Sequence, residues 1–130
     1  MSAFLNLTPI VRIVLENPFS KMFYPPNGSV VATIDSGYEG FLTTPMSVFE
    51  QVRLDELQQI SRTLVLANGE ILTSKGTYAT LRLPHLSVEL DGFVETYRGL
   101  DEIILGVQAL SHFNATLDYC SRRVSLRTCP

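Results

Sequence analysis

The tripeptide Asp35-Ser36-Gly37 is the part of this sequence best placed to do chemistry. Taken alone it is a weak signal. Some Asp-Ser/Thr-Gly triplet arises by chance in roughly one chain in twenty of this length, and a polar turn at a strand end would account for it. Its setting changes the reading. The apolar run Val30-Val31-Ala32-Thr33-Ile34 ends at Asp35, and a second run, Phe41-Leu42-Thr43, begins four residues after the triplet. Holding a carboxylate at a bend between two buried strands is costly, and proteins keep such groups mainly where they are paired or at work.

Other chemistry finds less support. His85 and His112 are the only histidines, and neither sits at metal-ligand spacing, so no metal and no cofactor is expected. A serine nucleophile needs an adjacent base, and Ser36 with His112 would meet only by an accident of fold. There is no glycine-rich phosphate loop. Arg122-Arg123 reads as solvated charge in a turn. Cys120 and Cys129 read as small half-buried thiols, with a disulfide left open. If the last hairpin turns at 120–123, the two lie beyond bridging distance within one chain. A link between subunits through Cys129 would then be the better disulfide.

The elements that must position Asp35 are mostly strands. Val11–Leu15 alternates and reads as a strand, and Tyr24-Pro25-Pro26-Asn27-Gly28 is turn chemistry. Thr44-Pro45 predicts a helix start, with Ser47 and Glu50 spaced as a competing capping box and Val48, Phe49 and Val52 as its apolar face. Asn68-Gly69 between two β runs predicts a hairpin, because both residues tolerate positive φ. Thr77–Leu83 and Leu86–Leu90 follow as strands, with a tight turn expected at Asp91-Gly92 and a strand at Phe93–Tyr97. Ile103-Ile104-Leu105 is a fully apolar strand ending at Gly106. Val107–Phe113 fits a short helix, and a last hairpin joins Ala115–Asp118 to Val124–Arg127. About nine strands and two short helices, evenly punctuated by turns, predict an all-β chain closed into a small barrel, with residues 1–130 as a single domain.

Composition agrees with a packed globular domain. The chain has 130 residues, 45% of them hydrophobic, with seven Phe and five Tyr to supply bulk in the absence of Trp. A net charge of −3 without long runs of one sign argues against nucleic acid and anionic membranes as partners. No apolar stretch has the length of a membrane span. The start, Met1–Leu7, lacks a basic end and a long apolar centre, so a cytoplasmic location is expected.

Three segments in order resemble the retropepsin-like aspartic proteases, the dimeric class found in retroviruses and in some stand-alone cellular and prokaryotic proteins. Ala32-Thr33-Ile34-Asp35-Ser36-Gly37-Tyr38-Glu39-Gly40-Phe41-Leu42 is similar to the family's active-site loop. Ile103-Ile104-Leu105-Gly106-Val107-Gln108-Ala109-Leu110 is similar to its apolar-apolar-Gly segment and short helix. Leu117-Asp118-Tyr119 through Arg123–Leu126 resembles its closing hairpin. Together they span most of Val30 to Arg127.

The resemblance implies a small closed retropepsin-type barrel with one or two short helices. It implies that Asp35 is the catalytic acid or base, that Ser36 bonds across to a partner loop, and that Gly37 lets substrate backbone approach. Tyr38, Glu39 and Ile104 would line the substrate site. The hairpin at Asn68 and Gly69 would be a flap that closes over a peptide. The family's flap is usually richer in glycine, and Val107-Gln108 stand where it often has a charged or amide residue after the glycine. The chain carries one such triplet, whereas the chemistry needs two carboxylates, one to activate water and one to polarise the scissile carbonyl. A homodimer with the site on its two-fold axis follows. The expected function is that of an aspartic endopeptidase acting on peptides or unfolded proteins. The alternative is a catalytically silent module of the same fold that binds peptides or dimerises. The Leu, Ile and Phe residues around the triplet suggest hydrophobic side chains flanking the scissile bond.

Overall fold

The computed structural model describes residues 3–130. Alternating burial drives the longest strands. In β2 (Thr8–Glu16), Val11, Ile13 and Leu15 point inward and are almost fully buried, while Arg12 faces solvent. β2 is shared between two neighbours. Its first half pairs with β4 (Val30–Ile34) and its last residues pair with β7 (Ile71–Leu83). β4 continues through β9 (Ile104–Leu105), β5 (Leu42–Thr43) and β8 (Val88–Thr96), and β8 returns to β7. These strands close a ring, which leaves no open edge around the core.

The remaining strands extend from the ring. β6 (Ile60–Val65) pairs with β7 and forms an overhanging hairpin. β1 (Ala3–Leu5) joins β2 to β11 (Arg123–Thr128), which pairs with β10 (Phe113–Asp118). β3 (Phe23–Tyr24) pairs with the end of β2. The closed all-β architecture with two short helices is as the sequence predicts. The strands β1 and β3 were not foreseen, since each is too short to show a period.

Several local expectations differ, among them the helix expected over Val107–Phe113, which ends at Leu110 because Phe113 already pairs in β10. Asp91-Gly92 is not a turn, because β8 runs straight through it against β7. The Thr80 hydroxyl donates to the Asp91 carboxylate at 2.7 Å, and a Cβ on Gly92 would collide with the Phe41 ring. That glycine admits a neighbouring ring, while the chain reverses at Pro84–Leu86. The first helix, α1 (Met46–Gln51), starts from Pro45 without a side-chain cap. Thr44 is drawn into the sheet instead, its N–H donating to the Glu95 carbonyl at 3.1 Å. Val48, Phe49 and Val52 are buried, as the apolar face requires. Both cysteines are free and exposed rather than half-buried.

Candidate active site

Asp35 is placed by an insertion. β9 enters between β4 and β5, parallel to the first and antiparallel to the second. The Thr33 N–H donates to the Ile103 carbonyl at 2.8 Å, and the Asp35 N–H to the Leu105 carbonyl at 3.0 Å. The chain then leaves the sheet in a turn closed by the Tyr38 N–H on the Asp35 carbonyl at 3.2 Å. The Gly37 N–H donates to Asp35 Oδ1 at 2.8 Å and orients the carboxylate. The flanking strands are buried as expected, but Asp35, Ser36 and Gly37 are themselves exposed in the single chain.

The loop is braced by the start of α2 (Val107–Leu110). The N–H groups of Gly106, Val107 and Gln108 donate to the carbonyls of Phe41, Tyr38 and Gly40 at 2.9, 2.8 and 3.0 Å. A Cβ on Gly106 would run into the Gly40 carbonyl and the Tyr38 ring, so only glycine fits this approach. Ile103 is buried behind the loop and Ile104 is half-buried at its front.

The loop forms the floor of a cleft of about 620 Å³, with Asp35, Gly37, Tyr38, Glu39 and Ile104 along it. Residues Leu64–Ala67 of the β6–β7 hairpin cover one side. Ser36 lies outside this lining, as do Asn68 and Gly69, which form the exposed hairpin tip. The tip is a three-residue loop rather than a two-residue one. The Gly69 N–H donates to the Leu66 carbonyl and the Leu66 N–H to the Glu70 carbonyl. Gly69 alone takes positive φ, at 85°, and the Asn68 side chain accepts the Glu70 N–H at 2.9 Å.

One feature of the cleft escaped sequence reasoning. Glu95, on β8, is fully buried. It accepts hydrogen bonds from Arg62 Nε and Nη2 at 3.0 and 2.8 Å, from the Ser74 hydroxyl at 2.6 Å and from the Tyr38 hydroxyl. Burial pushes the carboxyl up, but the donors from Arg62, Ser74 and Tyr38 outweigh it and hold Glu95 below the usual glutamate range. Burial, and then the bond to Glu95, drive the Tyr38 phenol far above its ordinary value. The same bond to Glu95 raises Arg62. The network ties the hairpin base, through Arg62 and Ser74, to the loop that carries Asp35. The available signal was an Arg and a Glu in otherwise apolar strands, but 33 residues separate them and no local pattern pairs them. Among the described residues no cluster of His, Cys, Asp and Glu is arranged to hold a metal ion, and no helix is long and apolar enough to cross a membrane.

Solved structures share the fold of this chain. A retropepsin-like aspartic protease from Rickettsia conorii superposes with a TM-score of 0.58, covering 92% of each chain at 18% identity. The retroviral protease-like domain of Ddi1 from Leishmania major superposes with a TM-score of 0.53, covering 98% of this chain and 97% of that one at 13% identity. This chain has the retropepsin-like fold. No protein-family model matches it. An uncharacterized protein of Archaeoglobus fulgidus is 46% identical over 126 residues, 97% of this chain and 98% of that one, and the two belong to one family. Within the retropepsin-like fold, Asp35 occupies the end of a strand at the barrel mouth, beneath a hairpin.

Proposed function

We propose that the chain is half of an aspartic endopeptidase, completed by a second copy, and that it hydrolyses peptide bonds in peptides or unfolded proteins. The observation that carries this reading is the exposed Asp35 carboxylate, fixed by the Gly37 N–H on the floor of a cleft that a hairpin overhangs. One carboxylate is half of the required pair. A two-fold axis through the loop brings two copies of Asp35 together, where like charge makes them share a proton and titrate as a unit. The unprotonated member takes a proton from water, and the protonated member polarises the scissile carbonyl. Ser36, outside the cleft lining, is free to bond across the axis. Gly37 leaves room for substrate backbone, and Tyr38, Glu39 and Ile104 supply walls. The Asn68-Gly69 tip closes over the peptide. No cofactor takes part. Leu5, Leu7 and Tyr119 are exposed on or beside the sheet of β1, β10 and β11, which suits burial against a second chain. Two unbridged thiols suit a reducing compartment, and we place the enzyme in the cytoplasm.

The test is cleavage of casein across mildly acidic pH by the wild type and by Asp35→Asn, with solution mass measured for both. We expect Asp35→Asn to fold and dimerise normally, because it removes charge repulsion on the axis, and to lose at least about a thousandfold in rate. Undiminished cleavage by the variant, or a strictly monomeric wild type at micromolar concentration, overturns the reading. An intact dimer that cleaves at no pH supports the silent peptide-binding module instead.

A further inference from the structure

Glu95 sits where the floor of the cleft meets the hairpin, and the proposed hydrolysis gives it no task. Its strand, β8, lies between β5, into which the Asp35 loop leads, and β7, the return strand of the hairpin. Glu95 stands opposite Thr43 on one side and Gly76 on the other. The side chain is wholly withdrawn from solvent and is not part of the cleft lining, so it does not reach a bound peptide. Its hydrogen-bond donors come from both sides. Arg62 and Ser74 belong to the hairpin base, and the Tyr38 hydroxyl belongs to the loop of Asp35. Arg62 and Tyr38 also interact directly with each other. Tyr38 is itself the residue that closes the Asp35 turn. Its N–H donates to the Asp35 carbonyl at 3.2 Å, its own carbonyl accepts the Val107 N–H at 2.8 Å, and its phenol ends on Glu95. Gly40 leaves room for that reach, since a Cβ there would strike the phenol ring and hydroxyl. Stability is a poor reason for the arrangement, because buried ion pairs exchanged for apolar groups of similar size often cost nothing. Geometry is a better one, because a displacement of about 1 Å in a reacting group can cost about a hundredfold in rate.

We propose that Glu95 is a positioning residue for the hydrolysis: acting through Tyr38, it fixes the Asp35 loop against the hairpin base, and so places the carboxylate relative to the peptide held between them. The proposal rests on the peptidase reading and adds a residue to its site. A carboxylate suits the task, because its two oxygens accept from Arg62, Ser74 and Tyr38 at once. A glutamine has one acceptor oxygen and cannot hold all three donors. Loss of the brace displaces the reacting carboxylate and leaves the apolar walls, Leu64, Leu66 and Ile104, in place. The defect therefore falls on kcat rather than on KM.

The experiment measures kcat and KM of the dimer on a fluorogenic peptide taken from a casein cleavage site, with a thermal melt of each variant. Tyr38→Phe deletes only the hydroxyl and leaves Arg62 and Ser74 on the carboxylate. It should lower kcat about tenfold, with KM within about twofold of wild type and the protein still folded at the assay temperature. Glu95→Gln should lower kcat at least as far, and adding Tyr38→Phe to it should cost little more, because the phenol acts through the carboxylate. Where Glu95→Gln does not fold, Ser74→Ala takes its place in the test of additivity, since Ser74 touches Glu95 without lining the cleft. Unchanged kcat in folded Tyr38→Phe, a loss confined to KM, or fully additive losses in the double variant overturns the proposal. Any of these beside a wild type that cleaves and an Asp35→Asn that does not sinks this proposal alone. A wild type that cleaves no peptide sinks the peptidase reading with it.

Discussion

The floor and the roof of the cleft are built on different principles. The floor, residues 35–41 with Gly106, is tied to β9 and α2 by backbone hydrogen bonds and admits no added atom at Gly106. The roof tip, residues 67–71, is exposed throughout, with Ile71 at 68%, and its turn is closed by hydrogen bonds within its own hairpin. Between them, Arg62 and Ser74 fasten the hairpin base to Glu95. A rigid floor keeps a carboxylate in position, and a lightly held tip over an anchored base can open without disturbing it.

Substitutions at the two ends test that contrast. Gly106→Ala forces Cβ against the Gly40 carbonyl and Tyr38, and should cost about 3 kcal/mol of stability together with most activity. A melting temperature close to wild type would show that the floor yields. Gly69→Val places a branched side chain at positive φ on the exposed tip, with open space around it, at an expected cost of about 1–2 kcal/mol. Here activity should fall proportionally further than stability, which parallel casein-cleavage and thermal-melt measurements decide. An equally large loss of both would make the hairpin purely structural. The smallest effect concerns the anchor between them. Glu95 titrates below the usual glutamate range, so the stability it contributes is present above the unfolded-state pKa and is lost as pH falls through the folded value. The advantage of wild type over Glu95→Gln in thermal melts should therefore be full near neutrality and shrink in acid below the ordinary glutamate range. An advantage that grows in acid would contradict the anchoring role.

Much of the barrel was legible from short-range signals. The alternation of Val11, Ile13 and Leu15 announced β2, and the run from Val30 to Ile34 announced the strand that delivers Asp35. Asn68-Gly69 announced the hairpin, although the turn uses three residues, because the Asn68 side chain closes it onto Glu70. Asp91-Gly92 misled for a definite reason. Its dipeptide has turn chemistry, but β7 pairs along its whole length and Phe41 fills the space a side chain would take. Thr44 likewise has the chemistry of a cap, and the sheet claims it first.

By itself the sequence determined the strands, the hairpin and the carboxylate at a strand end, because side-chain period and turn chemistry act over a few residues. The tertiary structure decided the insertion of β9 beside β4, the close approach of Gly106 to Tyr38, and the union of Arg62, Ser74 and Tyr38 on Glu95. These contacts join positions far apart in the chain. Their free energy depends on burial and on partners that exist only once the ring has closed, and no local pattern encodes that.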